Sequence, residues 1–126
     1  MAALVSVAIS NEPGALAKVA SAFASGGINI DGLSVLGRGN MGEAHFLVKD
    51  GPKAVEVLAT EGFMGKTQEV FLVDLSNHPG ALADACARLA SAGVNIQHLF
   101  GTAKGPSGSV ALLVDDVRTA RKVLNQ

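Results

Sequence analysis

A gapless internal repeat, the same order of strands and helices in both copies, and apolar residues at amphipathic spacing together predict an α+β fold. The expected architecture is two ferredoxin-like βαββαβ modules, each an antiparallel sheet with its helices on one face. An offset of 66 residues superposes Asn11-Glu12-Pro13-Gly14-Ala15-Leu16-Ala17 on Asn77-His78-Pro79-Gly80-Ala81-Leu82-Ala83. It also superposes Ala24-Ser25-Gly26-Gly27-Ile28-Asn29-Ile30 on Ala90-Ser91-Ala92-Gly93-Val94-Asn95-Ile96, and residues 5–60 match 71–126 at 22 of 56 positions. Residues 1–68 and 69–126 are read as the two modules.

The first element is a strand. Val5, Val7 and Ile9 alternate with Ser6, Ala8 and Ser10, the period-two signature of a strand with one buried face, and Phe71, Val73 and Leu75 repeat it. A helix should follow, with Asn11 or Asn77 accepting the free N–H groups of its start and Pro13 or Pro79 in the first turn, where a missing donor costs nothing. Leu16, Val19, Ala20 and Phe23, like Leu82, Ala85, Cys86 and Leu89, lie at helical spacing. Gly26-Gly27 or Gly93 supplies a left-handed stop.

Ile28 and Ile30 open a second strand, but Leu33 and Val35 are out of phase by one residue, and 96–99 repeat the slip; a β-bulge is expected in both copies. Glycine-rich turns at 37–42 and 105–108 lead to a third strand carrying Ala44, Phe46 and Val48, or Val110, Leu112 and Val114. Ala54, Val57 and Leu58, matched by Ala120, Val123 and Leu124, form a short helical stripe that Gly62 closes in the first copy. Only residues 63–69 remain for a fourth strand before the second copy begins. The second copy stops at Gln126 and should lack its last strand, leaving a sheet edge to be filled by the partner repeat or another subunit, or left open.

This run of features, with Asn-x-Pro-Gly-Ala-Leu-Ala before the helix and Gly-(Ile/Val)-Asn-Ile before the second strand, each present twice, closely resembles ACT regulatory modules over nearly the whole chain. The resemblance implies modules side by side with their sheets joined, and a small ligand, an amino acid, bound at the seam. It also implies that the asparagine of Gly-x-Asn-Ile reaches a ligand held by the neighbouring module's Pro-Gly loop, pairing Asn11 with Asn95 and Asn77 with Asn29. A free amino acid carries a carboxylate that suits the positive helix end around Gly14, Ala15 and Leu16 or Gly80, Ala81 and Leu82. The amides of Asn11 and Asn77 offer donors and an acceptor to either charged group. Helix capping alone accounts equally well for Asn11 and Asn77; for Asn29 and Asn95 the alternative is a solvent-facing or turn-bonded amide, and because Asn is a poor strand former the ligand-binding reading is preferred. The two sites need not be equivalent, because Glu12 becomes His78, Asp31 becomes Gln97 and Gly32 becomes His98.

Other functions find little support. Net charge is −1, with lysine and arginine scattered singly, so no nucleic-acid partner is expected, and with no Trp or Tyr there is no base-stacking platform. No apolar run approaches the ~18 to 20 residues of a membrane span. One cysteine, Cys86, and no secretory leader point to a reducing cytoplasm. His45, His78 and His98 have no metal-ligand spacing, so neither metal nor cofactor is expected. Neither a nucleophile with an oriented base nor a catalytic carboxylate pair is recognisable, so the chain is read as a non-catalytic sensor acting as a homo-oligomer, a dimer. The competing reading is a regulatory or scaffolding subunit that binds a partner metabolic enzyme through its sheet face, where Leu47, Leu72, Ala111 and Leu113 are expected to form an exposed apolar surface.

Overall fold

The alternation of Val5, Val7 and Ile9 becomes β1 (Ala2–Ser10), whose odd-numbered side chains enter a core. In this computed structural model, which describes residues 2–124, the chain divides into two units, Met1–Glu69 and Val70–Gln126. In the first unit β1 leads to α1 (Ala15–Ser25), the hairpin β2 (Gly32–Arg38) and β3 (Met41–Val48), then α2 (Gly51–Thr60). The strands run β2-β3-β1-β4, with β3 antiparallel to both neighbours and Val5 opposite Phe46. Val19, Phe23, Ala54 and Leu58 from the two helices pack on Val5, Val7, Phe46 and Val48. Phe23 meets Phe46 edge to face at 5.0 Å, a geometry that adds to the area both rings bury.

Helix ends follow local chemistry. Gly27 takes φ 73 after α1, and Gly93 takes φ 75 after the corresponding helix, the left-handed conformation that halts each. Asp50 caps α2 by accepting the Lys53 N–H at 3.1 Å.

The residues expected to close the first module and to open the second form one continuous strand, β4 (Gly65–Ser76), of 12 residues. Its first five residues belong to the first unit and neighbour β1; from Phe71 onward it pairs with a strand of the second unit. That unit continues through α3 (Ala81–Ser91), β5 (Ile96–Lys104), β6 (Ser107–Val114) and α4 (Val117–Val123), in strand order β4-β6-β5. Its core gathers Phe71, Val73, Leu89, Val94, Leu112, Val114, Ala120 and Leu124. After α4 only Leu124 is described, so the expected absence of a last strand falls outside the described residues.

The phase slip is resolved differently in the two units. In the second, the register shifts between Ile96 and His98, leaving Gln97 as the extra residue of a bulge. In the first there is no bulge, because β2 starts only at Gly32, after the slip. Ile28 and Ile30 precede the strand and still pack on the core. The exposed apolar sheet surface is also smaller than expected: Leu47 and Ala111 are buried, Leu113 is half-buried, and only Leu72 is open, at 47% exposure. Leu47 lies in register with Leu4, and both are buried.

Candidate ligand site

The turn before each first helix is built alike. The Asn77 N–H donates to the Pro106 carbonyl at 2.9 Å, and its side-chain Nδ2 donates to the Gly105 carbonyl at 2.7 Å. Asn11 does the same with Asn40, at 3.0 Å, and Gly39, at 2.9 Å. These asparagines are therefore not helix caps, contrary to expectation: their amides tie the turn to the hairpin on the other side of the sheet end. The N-cap positions are Gly14 (φ 91) and Gly80 (φ 93), which offer no side-chain cap. Pro13 and Pro79 stand ahead of the helix, in the turn, rather than inside its first turn.

A glycine is required at the cap because a positive φ strains any residue with a Cβ. The consequence is chemical. The Ala81 N–H is occupied by the His78 carbonyl at 3.2 Å, but those of Leu82 and Ala83 have no intrahelical acceptor, and no side chain caps them. Together with the helix dipole they favour a negative group.

In the second unit this helix start opens onto a cavity of about 330 Å³, near the lower limit for small-molecule pockets. Asn77, His78, Ala81 and Leu82 form one wall. Leu75, Leu99 and Val110 form an apolar floor, and Ser76, Thr102 and Ser109 complete the lining. His78 directs Nδ1 at the Pro79 carbonyl, 2.9 Å away, so in the neutral ring Nδ1 carries the proton and Nε2 is an acceptor. A void of about 10 Å³, the size of one water, lies among Leu75, Leu82, Leu99 and Val110 and the deeper core residues Leu89 and Leu112.

Of the ten residues singled out in the sequence, Asn77, Ala81 and Leu82 line this cavity, and Gly80 holds the turn that shapes it. Asn11, Gly14, Ala15 and Leu16 form the corresponding helix start of the first unit. Asn29 and Asn95 lie beyond the far end of helices 11 residues long, about 16 Å away along the axis. No single unit therefore brings either one to its own helix start. The Asn29 Nδ2 donates to Asp31 Oδ1 at 2.8 Å, and the Asn95 N–H donates to Asp115 Oδ1 at 2.9 Å, so each braces the start of a strand.

Gly101, Leu99, Val110 and Thr102 were not recognised from the sequence as pocket residues. The signal lay in the repeat itself, where Gly101 aligns with Val35 and Thr102 with Leu36, between the identical pairs Leu33/Leu99 and Gly39/Gly105. Among the described residues no cluster of metal-ligating side chains occurs, and no helix is long and apolar enough to cross a membrane.

Comparison with known proteins agrees with the fold. The sequence matches a family model described as an ACT domain pair over residues 1–126. No curated protein matches it. The fold is similar to that of protein BT0572 from Bacteroides thetaiotaomicron (25% identity, TM-score 0.88, covering 98% of this chain and 85% of that one). It is also similar to the regulatory subunit of aspartate kinase from Thermus thermophilus in its ligand-free form (23%, 0.74, 99% and 91%). The corresponding subunit from Thermus flavus gives 24%, 0.74, 98% and 88%.

Proposed function

The chain belongs to the ACT domain pair family, and from that premise we propose that it is a non-catalytic regulatory protein that binds a free amino acid in the cavity of its second unit. The observation that carries this reading is the convergence of uncapped helix N–H groups, Asn77 and His78 above an apolar floor. The N–H groups of Leu82 and Ala83 receive the carboxylate, the Asn77 side-chain carbonyl oxygen receives the ammonium, and Leu75, Leu99 and Val110 receive the side chain. Hydrogen bonds to charged groups contribute on the order of 1.5 to 3 kcal/mol each. Three or four of them, less the cost of immobilising the ligand, are compatible with micromolar affinity, about −8 kcal/mol. The fold shared with aspartate kinase regulatory subunits supports a regulatory rather than a catalytic role. The single cysteine, Cys86, is free and half-buried, consistent with a reducing compartment.

A thermal-shift screen against the twenty amino acids tests the reading. Ligand at about 100 times Kd stabilises the folded state by about 2.7 kcal/mol, so a shift with one chemical group of ligands is expected. No shift with any of them, at millimolar concentration, would overturn it.

A second reading, association with another protein chain, is favoured by one observation. Leu36, Met41 and Met64, at 59%, 49% and 88% exposure, line a concavity of the first unit with Ala8 and Ser6, rimmed by Arg38, Glu43 and Lys66. Exposed apolar side chains gathered in this way mark an interaction surface, and methionine adapts to varied partners. Sedimentation of the wild type and of Met64→Asp tests the homodimer form. A dimer weakened by the substitution supports it, and a monomer at all concentrations excludes it.

A further inference from the structure

The two halves of the repeat are not filled equally, and the difference falls at the cavity. In the first unit Val35 lies in register with Ala44 on the helix-covered face, because residues paired across antiparallel strands share a face. The deeper positions hold Phe23 and Phe46, both fully buried and in edge-to-face contact. In the second unit Gly101 replaces Val35, Leu89 replaces Phe23 and Leu112 replaces Phe46. Two rings are thereby exchanged for smaller isobutyl groups, and an isopropyl group is removed, on one side of the sheet.

Val110 in place of Ala44 returns two methyl groups. Phe71 in place of Val5 returns a ring, but that ring packs on the α4 side, under the Arg121 guanidinium at 5.7 Å, and lines neither the cavity nor the void. What remains is the open cavity and, beneath it, the void bounded by Leu89 and Leu112. Close-packed interiors do not keep such space without cost, since a lining without neighbours loses its dispersion contacts.

Gly101 sits where it controls that space. A Cβ built on it would meet Val110 Cγ1 at 3.6 Å and Leu99 Cδ2 at 3.7 Å, both ordinary contacts with floor residues. An alanine methyl therefore fits, and the two further methyls of valine would project into the cavity.

We propose that the second unit is the liganded one and that it is built for an amino acid with a neutral aliphatic side chain of about four carbons, whose size limit is set by Gly101. This rests on the amino-acid-binding reading above and specifies the ligand class of that same site. The floor under the helix start carries no charged side chain: Leu75, Leu82, Leu99 and Val110 surround the space beside Gly101. A charged side chain placed there would lose its hydration with nothing to replace it. A branched aliphatic one gains roughly 0.8 kcal/mol for each buried CH₂ group.

Isothermal titration calorimetry of the full chain with alanine, valine, leucine, aspartate and lysine tests the proposal, using the wild type, Gly101→Ala and Gly101→Val. The expected result is one site per chain and leucine or valine bound at least ten-fold more tightly than alanine, aspartate or lysine. Gly101→Val should weaken leucine at least ten-fold while changing alanine by less than three-fold, with Gly101→Ala intermediate. Valine suits a strand, so the variant should fold, and circular dichroism confirms this before titration. Preferred binding of aspartate or lysine, two equal sites, or a leucine affinity unchanged by Gly101→Val would overturn the proposal while leaving amino-acid binding intact. A wild type that binds none of the five, and none of the other amino acids in the thermal screen, would overturn both.

Discussion

Truncating Asn77 and Asn11 separately to alanine isolates the ligand-binding role from the structural one, because the two side chains make the same bond in the two units. Each Nδ2 donates to the carbonyl of a hairpin-turn glycine, Gly105 at 2.7 Å and Gly39 at 2.9 Å, and each backbone N–H donates to the carbonyl of the residue after that glycine. The backbone bond survives truncation. The side-chain bond is solvent-exposed, so its loss leaves a carbonyl that water can satisfy, and the cost belongs near the low end of the usual 0.5 to 1.5 kcal/mol. For a chain of this length that is a fall of a few degrees in Tm, nearly equal for the two variants.

Their effects on binding should diverge. Asn77 lines the cavity, and removing a hydrogen bond to a charged ligand group costs about 1.5 to 3 kcal/mol, a Kd raised about 10- to 150-fold. Asn11→Ala should change Kd by less than two-fold. Differential scanning fluorimetry gives the first comparison and calorimetry with the best ligand the second. Equal losses of affinity in both variants, or none in Asn77→Ala, would refute the assignment of the ligand to the second unit's helix start.

Further outcomes follow from the same structure. Phe23→Ala removes a fully buried ring in contact with Phe46, and chemical denaturation should show a loss of about 3 to 5 kcal/mol. Gly80→Ala places a Cβ at φ 93 with nothing within 4 Å of it, so its cost is backbone strain alone, about 1 to 2 kcal/mol, measurable in the same assay. The Thr119 hydroxyl, and then its backbone N–H, hold the Asp116 carboxyl below the ordinary value of 3.8. The stabilisation from this depressed pKa is complete above that value and is lost as pH falls through the folded-state pKa. Asp116→Asn keeps a capping side chain but cannot titrate, so its thermal stability should fall less than the wild type's between pH 5 and about pH 3.

Much of the fold was legible because the repeat supplied two readings of every element but the fourth strand. Where Val5-Val7-Ile9 and Phe71-Val73-Leu75 agreed on alternation, the strand was secure, and the double glycine stop fixed the helix ends. Two features escaped for physical reasons. A phase slip identifies an extra residue but not whether a strand absorbs it as a bulge, as at Gln97, or simply starts later, as at Gly32. The role of Asn11 and Asn77 depended on a hairpin 28 residues away, and local sequence favours the nearer helix start over that distant carbonyl. In the candidate site, the polar wall was readable from the Pro-Gly motif, but the floor was not. Gly101 matters for the volume it leaves empty, which becomes visible only when β5 is laid beside β6.

The most direct test of the central claim is amide-resolved NMR of the labelled chain titrated with the best-binding amino acid. Binding in the second unit predicts that the largest shifts fall on residues 77–83 and 99–103, with residues 11–17 nearly unmoved. Equal shifts at 11–17, or shifts confined to Leu36, Met41 and Met64, would contradict it.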